Sequence, residues 1–358
     1  MRAMALVVAV VLWTSAPTAQ AFVLTGTDHM EVTDLQYEGE LYDTSTVDVS
    51  GEGYIGMASV NNSARLRVLG DEAIVSELYT YDTATADIAA GNVYDMTAAG
   101  SSSVSLSGSG SMYEPVLAGN SSLNMSGGSV PYWLRVNDNS RLGMCGGTIF
   151  TATLSDTSLA RMCRGSINLL YAGSNSHTDL CGGAISLLLA SGNASLTICG
   201  GAIGDFRATD AVVANVRGHD FEASDGLTLD GSTVVGTGLL SWTSWGGGSW
   251  VLPITTHDSG AIIRAITTAP HPGDANFDDK VNVSDLAILA HGWGQASDGW
   301  CYADFNNDGL VNVGDLGVLA GSWGWQGGVG SVGALVPEPA TMALLGLGAM
   351  VLIRRRRA

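Results

Sequence analysis

Positive charge is scarce in this chain. Lys and Arg together number 15 against 34 Asp and Glu, Lys280 is the single lysine, and the net charge is −19. A surface of that sign repels phosphate backbones and anionic headgroups, which excludes nucleic acid as a partner. Charge of either sign is sparse, at 14% of residues, and aromatics are 7%; an ordinary cytosolic enzyme carries more of both. Long hydrophobic runs are missing too, since no stretch reaches the ~20 apolar residues that span a bilayer comfortably. No G-x-S-x-G, H-E-x-x-H or phosphate-cradling glycine loop occurs, so the enzyme classes built on those motifs are excluded. What the chain has is glycine, 48 of 358 residues, and an apolar fraction of 46%. That is enough to bury a large core in more than one domain.

Both ends read as targeting segments. Arg2 precedes "ALVVAVVLW" and "TSAPTAQA", with Ala19 and Ala21 in an A-x-A arrangement. A basic residue, a short apolar run and a small-residue cleavage site predict a signal peptide over residues 1–21. At the other end, "VPEPATMALLGLGAMVLIRRRRA" holds a Pro-Glu-Pro motif at Pro337–Pro339, an apolar stretch from Ala340 to Ile353, then Arg354–Arg357. Four arginines would hold that end on the cytoplasmic side. Residues 336–358 resemble a PEP-CTERM sorting signal, with the three features in the family's order. The resemblance implies export, a C-terminal hydrophobic helix docked at the membrane, and processing near the motif by an exosortase. A permanent tail anchor is the alternative. Without Arg2 and the tail arginines, 10 basic residues face 34 acidic ones, about −24, a charge suited to a calcium-containing exterior.

Between the ends the sequence repeats. "STVDVSGEGYI", "SSVSLSGSGSM", "SSLNMSGGSV", "SRLGMCGGTI" and "SLTICGGAI" share alternating apolar residues, a residue before a Gly-rich corner, and another aliphatic. The residue before the corner falls at Ser50, Leu69, Ala89, Ser107, Ser126, Cys145, Cys163, Cys181, Cys199 and Arg217. The nine steps average about 18.6 residues. Alternation means strand, and Gly and Asn mean corners, because both tolerate positive φ. A strand-corner unit this short buries its apolar face only by stacking, each coil pairing in parallel with the next at ~4.8 Å. The fold class is therefore mainly β, a single-stranded parallel β-helix (β-solenoid) of ~18–20 residues per coil with a small triangular cross-section. Residues 22–44 are expected to cap its N-terminal end. Residues 218–265 lose the period and, with Trp242, Trp245 and Trp250, are expected to form the last irregular coils and a cap; a sugar-binding platform is the other use for those rings. The unit at Tyr42–Gly51, "YDTSTVDVSG", resembles repeats of secreted planctomycete-type solenoid proteins, a resemblance that carries no activity.

Cys145, Cys163, Cys181 and Cys199 stand 18 residues apart. Neighbouring coils would place their Cα atoms at a spacing disulfides accept, so Cys145–Cys163 and Cys181–Cys199 pairs are one reading. A column that only demands a small side chain is the other, since Ser and Ala occupy it in earlier coils. Four thiolates along an axis do not converge on a tetrahedral metal. Cys301 lies outside the ladder.

Two acidic loops follow the solenoid. "DANFDDKVNVSD" and "DFNNDGLVNVGD" match position for position: Asp274, Asn276, Asp278, Lys280, Asn282, Asp285, and Asp304, Asn306, Asp308, Leu310, Asn312, Asp315 at places one, three, five, seven, nine and twelve. A hard cation needs six to eight oxygens, and such a loop offers side chains early, a backbone carbonyl at seven, a water held at nine, and a carboxylate from the following helix. Two Ca²⁺ sites are expected, each followed by a helix, "DLAILAHGW" and "DLGVLAGSW". Asp279 stands at place six of the first loop, where Gly is usual. Asp tolerates the left-handed conformation, so a weaker first site is expected. The pair, with Asp at place twelve, resembles a type I dockerin over about residues 273–325. The resemblance implies calcium-dependent docking to a cohesin-like protein, with Val283, Ser284, Val313 and Gly314 at the partner-reading places, and association with polysaccharide-degrading systems.

The domains read as 22–265, a linker at 266–272, the loop module at 273–325, a Gly-rich linker at 326–335 and the tail. One mixed cluster, Asp205, Arg207, Asp210, His219, Asp220 and Glu222, could gather on adjacent coils. Asp205 and Asp220 are the only candidates for a carboxylate pair acting on an extracellular polysaccharide as a lyase or glycoside hydrolase; a solvated face near the cap is the simpler reading. The function expected is a secreted surface solenoid that docks through calcium, with a polysaccharide-active enzyme or a glycan-binding module as alternatives.

Overall fold

The computed structural model describes residues 21–245, 247–294, 300 and 303–327. The signal peptide before residue 21, Cys301, all but the first residues of the Gly-rich linker and the C-terminal hydrophobic helix lie outside them. Two compact units result, one running to Thr267 and one from Thr268 on, with Trp245–Gly247 grouped with the second.

The first unit is a parallel β-solenoid of about 11 turns. Most coils supply a four-residue strand, such as Arg65–Val68, and a seven-residue strand, such as Ile74–Thr80; in Arg141–Leu154 and Leu159–Ala172 the two run together. The four-residue strands alternate, with Leu66 and Val68 inward. In the longer strand the second, fifth and seventh residues are inward, here Val75, Leu78 and Thr80, so the third and fourth both face out. A strand that turns two successive side chains outward has bent. The bend gives each coil three inward faces, and the expected triangular section follows from it. Each inward Leu, Ile or Val contributes roughly 1.5–3 kcal/mol relative to exposure.

Register is kept coil by coil. Leu66 pairs with Val47 and with Ala86, and Leu142 with Leu123. Offsets range from 17 residues at His29↔Thr46 to 20 at Leu66↔Ala86. Residues 22–44, expected as a cap, already follow this ladder, since Ala21 pairs with Glu38 and His29 with Thr46. One corner column carries Asp at positive φ, including Asp82, Asp138, Asp156 and Asp210. Each carboxylate accepts a backbone N–H from the preceding coil: Asp138 from Gly119 at 2.8 Å, Asp210 from Gly192 at 2.9 Å. Beside it the asparagines stack, Asn139 donating to Asn120 and Asn193 to Asn175. The opposite corner needs glycine for a different reason. Gly147 has φ +83°, and a Cβ there would lie 2.5 Å from the Gly127 carbonyl oxygen.

The cysteines stand as thiols, with Cys163 and Cys199 buried, and the ladder shifts register at this column, where Cys145 pairs with Arg164. A hydrogen bond with Cys145, then burial, pushes the Cys163 thiol well above its ordinary pKa, which makes it a poor nucleophile.

Past Arg217 the chain leaves the coil and returns. Val213 pairs with Ile262, 49 residues later. The excursion is antiparallel: Gly238–Thr243 lies between His219–Ser224 and Ser249–His257, and Thr228–Asp230 pairs with Thr233–Val235. Trp242 is 2% exposed and stacks on Phe221, and Trp250 packs against the same core. Those two rings hold the end of the solenoid together and form no surface platform.

The second unit holds two helices, α1 (Val283–Gly292) and α2 (Val313–Gly321). Leu289 and Leu319 join Val281, Phe305 and Val311 in a small core, edged by Trp293, Trp300, Trp323 and Trp325. Its two ends meet: Val281 N donates to Trp325 O, Gly324 N to Val281 O, and the His271 ring stacks on Trp325 at 3.9 Å.

Candidate metal centre

Each twelve-residue loop is wound around its own first carboxylate. Asp274 accepts from Asp278 N and Asp279 N at 3.2 and 3.1 Å; Asp304 accepts from Asp308 N and Gly309 N at 3.1 and 3.0 Å. Place six takes positive φ in both loops, +59° at Asp279 and +85° at Gly309. The aspartate tolerates the conformation that glycine adopts freely.

Place nine and place twelve have a second task. Asn282 and Asn312 are the N-caps of α1 and α2, accepting from Ser284 N and Gly314 N at 2.8 and 2.7 Å. Asp285 and Asp315 complete capping boxes by accepting from Asn282 N and Asn312 N at 2.8 and 2.9 Å. Their other oxygens take Ala275 N at 2.8 Å and Phe305 N at 2.7 Å, which ties loop start to helix start. The N-x-x-D spacing was the signal for this role. Trp300, whose indole N–H donates to Asp274 O at 2.9 Å, had no signal in the local sequence.

The electrostatics are unfavourable to the loops as they stand. Asp274, Asp285, Asp304 and Asp315 are at most 1% exposed. Ligand oxygens of Asp304, Asp308 and Asp315 lie within 4.8 Å of one another. Burial first, then the charges of Asp285 and Asp278, push Asp274 up to about 6. Burial also raises Asp285 and Asp304, and the Asp315 charge adds to the rise at Asp304. Exposed Asp308 moves down, held by Asn306 and Asn312 amides. Among the described residues no Lys or Arg forms an ion pair with any of them. Buried like charges without a basic partner match a small divalent cation, and an all-oxygen donor set matches calcium rather than zinc or copper. Lys280 and Leu310 occupy place seven, where a backbone carbonyl serves; Leu310 O accepts from Asn312 at 3.0 Å here. Just beyond the loops, Val283 and Val313 are 68% and 72% exposed, unusual for apolar residues, with Ser284 and Gly314 beside them.

The carboxylates of the solenoid behave differently. Desolvation would raise Asp205, but hydrogen bonds from Thr255 and Arg207 and the guanidinium charge outweigh it and hold the group below its ordinary range. A general acid needs the opposite shift. Asp220 is 78% exposed at its side chain and contacts His219 at 2.7 Å. The cluster divides into an Asp205–Arg207 pair and a separate His219–Asp220 pair.

Duplicated oxygen-donor loops, each closed by a capped helix, define a paired acidic-loop module carried by a β-solenoid chain. Residues 272–321 match the family model described as Dockerin type I domain, and residues 335–357 match the PEP-CTERM protein-sorting motif. No curated protein and no solved structure matches the chain. The chain therefore carries a type I dockerin domain and a PEP-CTERM motif, the marks of an exported, surface-associated protein. Among the described residues no helix is long and apolar enough to cross a membrane.

Proposed function

We propose that this protein is a surface-sorted β-solenoid that docks onto a cohesin-like partner when its two loops are loaded with calcium. The observation that carries the reading is the duplicated set of buried, mutually repelling carboxylates without a basic partner. Asp274, Asn276, Asp278, Asp285 and the Lys280 carbonyl hold the first ion, and Asn282 holds a water at the ninth place; Asp304, Asn306, Asp308, Asp315, the Leu310 carbonyl and Asn312 do the same for the second. Calcium supplies the positive charge that lets these groups stay ionised while buried. The chain's own residues then fix α1 and α2, whose first turns present Val283, Ser284, Val313 and Gly314. Exosortase processing at the tail would decide how the solenoid is finally attached.

The test is capture of envelope proteins by the full chain in calcium and in EDTA. A partner of cohesin type retained only in calcium, and lost on Val283→Asp with Val313→Asp, is the expected result. Retention indifferent to both changes would overturn the reading.

A further inference from the structure

The bend in the long strands turns two outward columns of residues into continuous tracks along the solenoid. One column runs through Tyr94, Tyr113, Tyr132 and Phe150. Tyr94 and Tyr113 lie 4.8 Å apart between ring centroids and Tyr113 and Tyr132 5.7 Å. These rings are not core. Tyr94, Tyr132 and Phe150 are 42%, 54% and 55% exposed, as is half of Trp133 beside them. The column then becomes polar, with Asn168 and Ser186 in the next two coils. There a groove of about 410 Å³ opens beside Phe150, floored by Ser129, Thr148 and Ser166, which are register partners on successive strands.

From this placement we infer that the face from Tyr94 to Ser186 binds a neutral polysaccharide chain lying along the solenoid axis. Tyr94 and Tyr113 stack on each other, Tyr132 and Phe150 offer exposed ring surface for the C–H faces of sugars, and hydroxyl and amide groups serve their hydroxyls. No charged residue lines the groove. The column flanking the first rings is acidic, Glu77 paired with Asp95 and Asp95 with Glu114, all exposed, and beside the groove it continues without charge through Thr151, Leu169 and Leu187. That flank repels uronate and sulfated chains and tolerates uncharged ones. Coils repeat every ~4.8 Å, so an extended polymer lying along them meets successive contacts, first aromatic and then polar, and weak contacts add along its length. The track belongs wholly to the solenoid, so its binding does not depend on calcium in the dockerin loops.

Affinity electrophoresis of the full chain tests this, in gels containing β-glucan, xylan or mannan and in gels containing alginate or polygalacturonate, each with calcium and with EDTA. Retardation is expected on at least one neutral polymer, in both media, and on neither anionic one. Tyr113→Ala with Phe150→Ala is expected to weaken it at least tenfold, and Phe150→Glu alone, on an exposed ring, to weaken it without touching the core. Unchanged circular dichroism melts show that the variants fold. The inference is overturned by no retardation on the neutral panel, by equal retardation on anionic polymers, by loss of binding in EDTA, or by variants that bind as well as the parent. Sedimentation that changes from dimer to monomer in Phe150→Glu would assign the track to a second copy of the chain and overturn it equally.

Discussion

Asp274→Asn should shift the stability of the dockerin unit in opposite directions with and without calcium. Without the ion, Asp274 is a buried carboxylate pushed up to about 6 by burial and by Asp285 and Asp278. Ionising it at pH 7 costs about 3 kcal/mol by a two-unit shift, discounted to about 1–2 kcal/mol because water around the loop screens the charges. Asparagine removes that cost. It keeps one acceptor, so one of the two N–H bonds from Asp278 and Asp279 is lost, at about 1 kcal/mol. In EDTA the variant is therefore expected to equal the parent or exceed it by about 1 kcal/mol. In calcium the parent gains ~2.7 kcal/mol per site at one hundred times Kd, and a neutral ligand at place one gives up most of that gain for the first site. Denaturant melts of the full chain, followed by helical circular dichroism and tryptophan fluorescence, measure both arms. If Asp274→Asn lowers stability equally in EDTA and in calcium, the carboxylate is structural and the reasoning fails.

The pH dependence follows from the same groups. Asp274 has a folded pKa above its unfolded value, so the calcium-free unit binds extra protons, is favoured below about pH 4, and loses that stability as pH rises through about 6. Calcium must displace those protons. Its affinity should climb between pH 5 and 7, with proton release seen as a buffer-dependent binding heat in calorimetry. At place six of the first loop, Asp279→Gly relieves a residue at φ +59° and should stabilise the loaded unit by about 0.5–1 kcal/mol, read as a higher melting midpoint in calcium. In the solenoid, Gly147→Ala should cost roughly 2–4 kcal/mol, because its Cβ meets two carbonyl oxygens of the preceding coil. Gly51→Ala, also at positive φ but facing open space, should cost only about 1 kcal/mol. Equal losses at the two glycines would show that conformation alone, not coil stacking, fixes that corner.

The period was legible because every coil repeats the same local need. In most coils the column from Ser50 to Cys199 marks the place where the short strand ends before the Gly-rich corner, and the short strands pair in register; at Cys145 and Cys163 the strand runs on through the corner and the register shifts. The two acidic loops and the helices that follow them were legible for the same reason, since the spacing that caps each helix is local. The excursion between Arg217 and Ile262 was legible only as lost periodicity, because its antiparallel pairings join residues related by no common spacing. The tyrosine track was hidden as well. It depends on the bend inside Asn92–Ala98 and its neighbours, which puts two successive residues outside and breaks simple alternation. The Val281–Trp325 tie joins residues far apart in sequence, and no short motif announces it.

The chain uses one local device, aspartate beside a tight backbone corner, in two settings that differ in burial. At the solenoid corners Asp82, Asp138, Asp156 and Asp210 each meet an N–H of the coil before and stay exposed. At most one charge per coil at that corner, solvated and hydrogen-bonded, requires no counter-ion. In the dockerin loops the same residue type is buried and faced by two more of its kind. Backbone N–H groups satisfy the geometry there but cannot cancel the repulsion. With calcium in those loops as proposed, its removal should loosen the helices of the second unit while the coils of the first keep their register.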